Sequence, residues 1–195
     1  VNDLEAFVLA GGLSTRMRTD KALLQLGGQP LIARAISLAK ALTPQVRIVG
    51  DSRKFLSFGD VVLDLYPGRG PLAGIHAALH SSQSEWNLVL AVDLPFLTPE
   101  FLRFLLVEAR HSSAVVTVPS AGSRLHPLCA VYRRQFLVPA GRALAAGRNR
   151  IDALFPELPV RTISEDELTA AGFHARMFRN LNTPEDWAAA QRDFD

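Results

Sequence analysis

Short apolar runs that alternate with helical stretches constrain the fold of this chain more than any other feature. Ala6-Phe7-Val8-Leu9-Ala10 and Leu88-Val89-Leu90-Ala91-Val92 read as strands buried on both faces. Val46-Arg47-Ile48-Val49, Val61-Val62-Leu63 and Ala114-Val115-Val116-Thr117-Val118 read as further strands. Helical segments separate them. Residues 30–42 carry Leu31, Ala35, Leu38 and Leu42 on one face, with Pro30 suited to the first turn. Residues 72–79 form a helix of small side chains, and residues 98–110 form one capped by Thr98. Strand, helix and strand at these separations imply right-handed crossovers and a mostly parallel sheet. The expected architecture is α/β: a single three-layer α/β/α domain over residues 1–195, built on a Rossmann-like sheet. A chain of this length buries about 70 % of its unfolded surface and can hold a core without staples.

The second half has a different texture. A polar loop at 120–124 leads to His126-Pro127 and a strand at 128–132, then a helix from about Gln135 to the Gly147 stop. Residues 159–163 read as a strand, and Glu165-Asp166-Glu167 suit the first turn of a short helix. Thr183-Pro184-Glu185 caps a terminal helix. Internal repeats, low-complexity tracts and interdomain linkers are absent from the sequence.

The chemistry concentrates where the first strand ends. Gly11 and Gly12 let the backbone turn sharply and present N–H groups with no Cβ in the way. Such amides form an anion-binding concavity, to which Ser14 and Thr15 add hydroxyls and Arg16 and Lys21 add positive charge. The Walker and dinucleotide-binding glycine patterns do not fit this spacing. Ala22-Leu23-Leu24-Gln25-Leu26 follows at once and ends at Gly27-Gly28, so the loop sweeps over its ligand and returns with Lys21 near its far end. Asp64 and Asp93 also fall at the carboxyl ends of expected strands, where ligands of such sheets sit. The turn-rich stretch 66–71, opening the small-residue helix, is a second candidate anion or nucleotide-edge site.

Composition narrows the partners. The formal charge is +2 and the basic residues lack interleaved aromatics, which argues against nucleic acid. The local clusters Arg16/Arg18/Lys21, Arg133/Arg134 and Arg142/Arg148/Arg150 suit a small anionic ligand better than a polymer. Cys129 is the single cysteine, so no intramolecular disulfide is possible, and its apolar run reads as buried strand. The start of the chain lacks the pattern of a signal peptide, and no apolar run matches a membrane span. A soluble cytoplasmic protein without membrane contact is expected.

A nucleoside triphosphate fits this constellation. Transfer at the α-phosphorus needs an anionic pyrophosphate leaving group neutralised, a task for Lys21, Arg16 and the loop amides. Asp93 lies where a Mg²⁺ ion bridging the phosphates takes a hard carboxylate ligand, and one carboxylate suffices for magnesium. Asp64 is a candidate for the base, ribose or metal, or simply caps the turn that follows it. His76, His80, His111, His126 and His174 read as surface or structural residues. An acceptor that is itself a phosphate has a second pKa of about 6, so it attacks without a general base.

Taken together, the motifs resemble the molybdenum cofactor guanylyltransferases. The likeness rests on residues 9–17, Asp20-Lys21-Ala22-Leu23-Leu24, Gly28-Gln29-Pro30-Leu31 and Gly70-Pro71-Leu72-Ala73-Gly74-Ile75. Asp93-Leu94-Pro95-Phe96, residues 126–132 and Asn180-Leu181-Asn182-Thr183-Pro184-Glu185 extend it in order over essentially the whole chain. The resemblance implies the nucleotide-diphospho-sugar transferase type of fold. It also implies GMP transfer from GTP to molybdenum-molybdopterin, giving the guanine dinucleotide cofactor and pyrophosphate. Nucleotide contacts are implied at Leu9, Ala10, Gly11, Gly12, Lys21 and Asp64, and Mg²⁺ at Asp93. Arg16 matches a position associated with activity. Asn180 and Asn182, with Arg148 and Arg150, are the candidates for the pterin side.

The family usually has Gly after Arg-Met, where Arg18 stands here, and often Asn near Gly50-Asp51. A molybdenum-insertion protein or a recipient-enzyme chaperone is an implied partner. The alternatives are a cytidylyltransferase of the same pathway, whose relatives usually lack the Gly-Pro-Leu-Ala-Gly loop, or another NTP transferase. A nucleotide-binding protein without catalysis is the alternative of a different class.

Overall fold

A computed structural model describes residues 3–10, 20–181 and 183–194, the side chains of residues 184 and 194 excepted. The fold is set by β1 (Leu4–Leu9), whose six residues are all buried. Alternate side chains of β1 enter two separate cores. Leu4, Ala6 and Val8 point into one, and Phe7 and Leu9 into the other. A strand with no solvent face must lie in the middle layer of three.

The chain then forms a hairpin of β2 (Gln25–Leu26) and β3 (Gln29–Pro30). Its two-residue turn is Gly27-Gly28, with φ +55° and +74°, the left-handed pair that hairpin twist demands and glycine adopts without strain. There follow α1 (Leu31–Lys40), β4 (Val46–Val49), the one-turn α2 (Ser52–Phe55) and β5 (Val61–Val62). Next come α3 (Pro71–Ser81), β6 (Trp86–Ala91) and α4 (Pro99–His111). The second half holds β7 (Val116–Ala121), β8 (Arg124–Leu125), β9 (Cys129–Arg133) and α5 (Leu137–Ala145). It closes with β10 (Val160–Ile163), α6 (Glu165–Ala170) and α7 (Pro184–Phe194).

The sheet runs β10-β7-β9-β6-β1-β4-β5, with β8 paired to β7. β1 is parallel to β4 and β6, and β4 to β5. β9 runs antiparallel between β6 and β7, and β10 is parallel to β7. The mostly parallel α/β sheet expected from the sequence is therefore what forms. Residues of α1, α4, α6 and α7 fill the core on one face, and residues of α3 and α5 fill the other.

Several local signals act as the sequence suggests. Thr98 Oγ1 accepts the N–H of Phe101, and the acidic stretch from Glu165 forms the first turn of α6. Ser164 with Glu167 adds a reciprocal capping box that sequence reasoning did not assign. The first helix is shorter than the expected 30–42, because Pro30 spends its fixed φ as the extended residue before Leu31. Gly74 sits where a Cβ would stand 3.4 Å from Leu9, so its lack of a side chain lets α3 lie close on β1 and β4. Cys129 is fully buried in β9, and burial raises its thiol pKa far above the usual range.

Candidate active site

β1 and β6 are neighbours and parallel, so both open at the same edge of the sheet. β1 ends at Leu9, and the N–H of Ala10 still bonds the Val49 carbonyl at 3.0 Å, holding the exit of β1 beside β4. Two residues beyond β6 stands Asp93. Lys21 lies in a single 3₁₀ turn, Lys21–Leu23, whose cap is Asp20. The Lys21 Nζ reaches Asp93 Oδ2 at 3.3 Å, with side chains 15 % and 23 % exposed, a partly desolvated pair. Two motifs 72 residues apart thus meet. Asp93 Oδ1 carries no hydrogen bond among the described residues.

The turn that presents Lys21 is itself fastened. Asp20 Oδ1 accepts the N–H of Ala22 at 3.3 Å, and Oδ2 accepts Lys54 Nζ from α2 at 2.7 Å. The neighbouring carboxylate raises the Lys54 pKa. Sequence reasoning assigned no role to Lys54. The available signal was its place on a one-turn helix directly after β4, which Asp51 caps through the N–H of Arg53.

A third segment closes on Asp93 from the C-terminal side. The N–H of Leu181 donates to the Asp93 carbonyl at 3.2 Å. Arg179 lies with its guanidinium carbon 4.3 Å from the centre of the Phe96 ring and pairs with Asp193 on α7. Asn180, exposed between Arg179 and Leu181, is thereby carried to the same edge as Asp93. His126 stacks on Phe178 with ring centres 4.4 Å apart, and burial lowers its pKa, consistent with a structural histidine.

Other expected residues have local partners. Asp64 follows β5, and its Oδ1 accepts the N–H of Tyr66 at 2.8 Å, the turn-capping arrangement. Arg148 pairs with Glu157 at 3.3 Å, and Arg150 grips Asp152 through two nitrogens at 3.2 and 2.7 Å. Each has a local carboxylate, and no hydrogen bond or ion pair among the described residues joins them to Asn180. The second anion site expected at 66–71 has Gly70 at the α3 cap, with φ +73°. Gly11, Gly12, Arg16, Arg18 and Asn182 lie outside the described residues.

The donor set suits a magnesium ion. Asp93 supplies a hard oxygen, and among the described residues there is no group of three or more metal-binding side chains. Magnesium commonly takes one or two carboxylates and keeps several waters, so a single aspartate is compatible with it.

A central parallel sheet with a lysine–aspartate pair at the open ends of adjacent strands is the arrangement of an α/β nucleotide-handling protein. Residues 6–162 match the MobA-like NTP transferase domain, and the chain belongs to that family. A protein of Pelotomaculum thermopropionicum named "Probable molybdenum cofactor guanylyltransferase" is 37 % identical over 186 residues, spanning 94 % of this chain and 90 % of the relative. The "Molybdenum cofactor guanylyltransferase" of Desulfosudis oleivorans is 36 % identical over 187 residues, spanning 94 % and 92 %. The crystal structure of molybdopterin-guanine dinucleotide biosynthesis protein A from Archaeoglobus fulgidus superposes with a TM-score of 0.85 at 27 % identity, covering 97 % of each chain.

Proposed function

We propose that this chain transfers GMP from GTP to molybdenum-bound molybdopterin, forming the guanine dinucleotide cofactor and releasing pyrophosphate. The observation that carries the reading is the meeting of Lys21 with Asp93 at the open end of β1 and β6. The nearly full-length relatives named for this activity support the choice of substrate.

In this reaction a phosphate oxygen of the acceptor attacks the α-phosphorus of GTP. The new P–O bond forms as the bond to the β-phosphate oxygen breaks, and both electrons leave with pyrophosphate. Lys21 neutralises the charge that builds on that leaving group, joined by Arg16 and the amides of Gly11 and Gly12. Asp93 would hold a magnesium ion here, which when bound would supply Lewis-acid charge neutralisation. Leu9 and Ala10 border the nucleotide at the exit of β1, and Asp64 meets it from the end of β5. The acceptor phosphate is already nucleophilic near neutral pH, so Lys21 and Asp93 act by placement and charge rather than by moving its proton. Asn180, and Asn182 outside the described residues, are the candidates for contact with the pterin acceptor.

Arg148 and Arg150 serve as an outer basic fringe, since each is tied to a carboxylate. The whole reaction runs in one domain, in the cytoplasm. Its onward partners are a molybdenum-insertion protein or a recipient-enzyme chaperone.

Pyrophosphate release from purified protein given Mg²⁺, molybdopterin and either GTP or CTP tests the reading. Release with GTP, far above that with CTP, is the expected result. Preference for CTP makes the chain a cytidylyltransferase, and nucleotide binding without release makes it a non-catalytic binder.

A further inference from the structure

We propose that Arg179 is a positioning residue for the metal-bearing edge of the site. It clasps the C-terminal segment to the loop at 92–98 and so holds Asp93 in register. Residues 178–181 cross that loop with their hydrophobic ends sunk, Phe178 at 4 % exposure and Leu181 at 0 %. Between these anchors the Leu181 N–H bonds the Asp93 carbonyl. The Phe178 ring meets Phe101 of α4 edge-on at 5.2 Å, and His126 covers its other side.

Arg179 closes the remaining gap. Its flat guanidinium lies over Phe96, three residues beyond Asp93, while its charge is met by Asp193 on α7. Its Nε is buried without a hydrogen-bond partner among the described residues, so the stacking on Phe96 and the pair with Asp193 are what orient the group. α7 also packs against β2, two residues beyond the turn that presents Lys21. One arginine therefore couples the strap that carries Asn180, the loop that carries Asp93 and the helix that touches the hairpin after Lys21. Arginine suits the place better than lysine, because only its planar head can stack on the ring and bind the carboxylate at once.

The proposal rests on the reading of Asp93 as a magnesium ligand, and its test separates the two. Mn²⁺ stands in for magnesium, and its binding is followed by the electron paramagnetic resonance signal of the free ion. A GTP analogue with a methylene bridge between the α- and β-phosphorus keeps turnover out of the measurement. In Arg179→Met, Mn²⁺ affinity in the analogue complex is expected to fall about fivefold, the size of one lost cation–aromatic contact. Analogue affinity without metal is expected to stay within about twofold, because no hydrogen bond or ion pair among the described residues joins residues 178–181 to Leu9, Ala10 or Lys21. Arg179→Lys, which keeps the charge facing Asp193, should recover part of the loss. Phe96→Leu breaks the same contact from the loop side and should match Arg179→Met, which covers the case of a variant that folds poorly.

Unchanged Mn²⁺ affinity in Arg179→Met and Phe96→Leu, alongside a clear loss in Asp93→Asn, overturns the role of Arg179 and leaves the metal reading standing. Unchanged affinity in Asp93→Asn overturns both. A fall in melting temperature without any change in Mn²⁺ affinity makes Arg179 merely structural and also overturns the proposal.

Discussion

The ammonium of Lys21 stands 3.3 Å from the carboxylate of Asp93, although 72 residues of chain separate them. β1 and β6 are adjacent and parallel, so the segment that follows β1 and the loop that follows β6 emerge at one edge. The partial burial of both side chains keeps this pair from being an ordinary surface contact. A triphosphate with its metal ion would be held between a fixed cation and a fixed anion.

Lys21→Ala and Asp93→Ala are each expected to lower turnover about a hundredfold or more, the loss typical when charge stabilisation of the leaving group is removed. The double variant should lose less than the product of the two, since each partner's contribution depends on the other. Pyrophosphate release under saturating GTP measures both effects. Rates like the wild type in both single variants would remove the phosphate assignment.

The Asp20–Lys54 contact should act on nucleotide binding rather than on chemistry. Lys54→Met frees one oxygen of the carboxylate that caps the Lys21 turn, without touching that turn's backbone. The expected result is a KM for GTP raised about threefold with kcat nearly unchanged. Because the pair is exposed, added salt should shrink the difference between wild type and variant. A titration of GTP at low and at high ionic strength reads this directly.

Glu167 sets an acid limit on the β10–α6 corner. Hydrogen bonds from Arg161, and from the N–H of Ser164, pull its pKa from the usual 4.5 down to about 2. A folded-state pKa below the unfolded one means that the contribution to stability is complete above about pH 4.5. It is lost as pH falls toward 2. Glu167→Gln should therefore lower the melting temperature at pH 7, and the gap to wild type should narrow across that window. A gap that stays constant between pH 5 and roughly pH 2 would contradict the linkage.

Gly74→Val should destabilise the protein by about 1–3 kcal/mol, as overpacking of a filled interior does. The first added carbon already meets Leu9 at 3.4 Å and Val49 at 3.8 Å, and valine adds two further methyls beyond it. Gly74→Ala should be much milder, because Leu9 need yield only a few tenths of an ångström. Urea unfolding of both variants measures the contrast.

Much of the scaffold could be read along the chain, because its signals act over three or four residues. The apolar run from Ala6 made β1, Thr98 capped α4, and the acidic stretch from Glu165 opened α6. Two adjacent glycines before Gln29 turned the hairpin. At the candidate site, Lys21 at the far end of the glycine turn and Asp93 after a later strand could be named along the chain as phosphate and metal candidates, but not their meeting. The resemblance of the motifs to one enzyme family then narrowed the substrate, and the family match agrees.

What the chain could not disclose is everything that depends on which residues become neighbours. The sequence determined that β1 is buried on both faces from Ala6 onward, because the apolar run Ala6–Leu9 leaves no side for water; Glu5, at its start, is buried against Arg47 and Ser82. Only the tertiary structure decided that Lys21 meets Asp93, and that Arg148 and Arg150 are claimed by Glu157 and Asp152. It also decided that the segment around Arg179 returns to fasten the loop after β6, and that β9 runs against its neighbours. The physical reason is one of range. Propensity and periodicity are settled by backbone and solvent within a few residues, whereas ion pairs and ring contacts depend on strand order, which a whole sheet fixes at once.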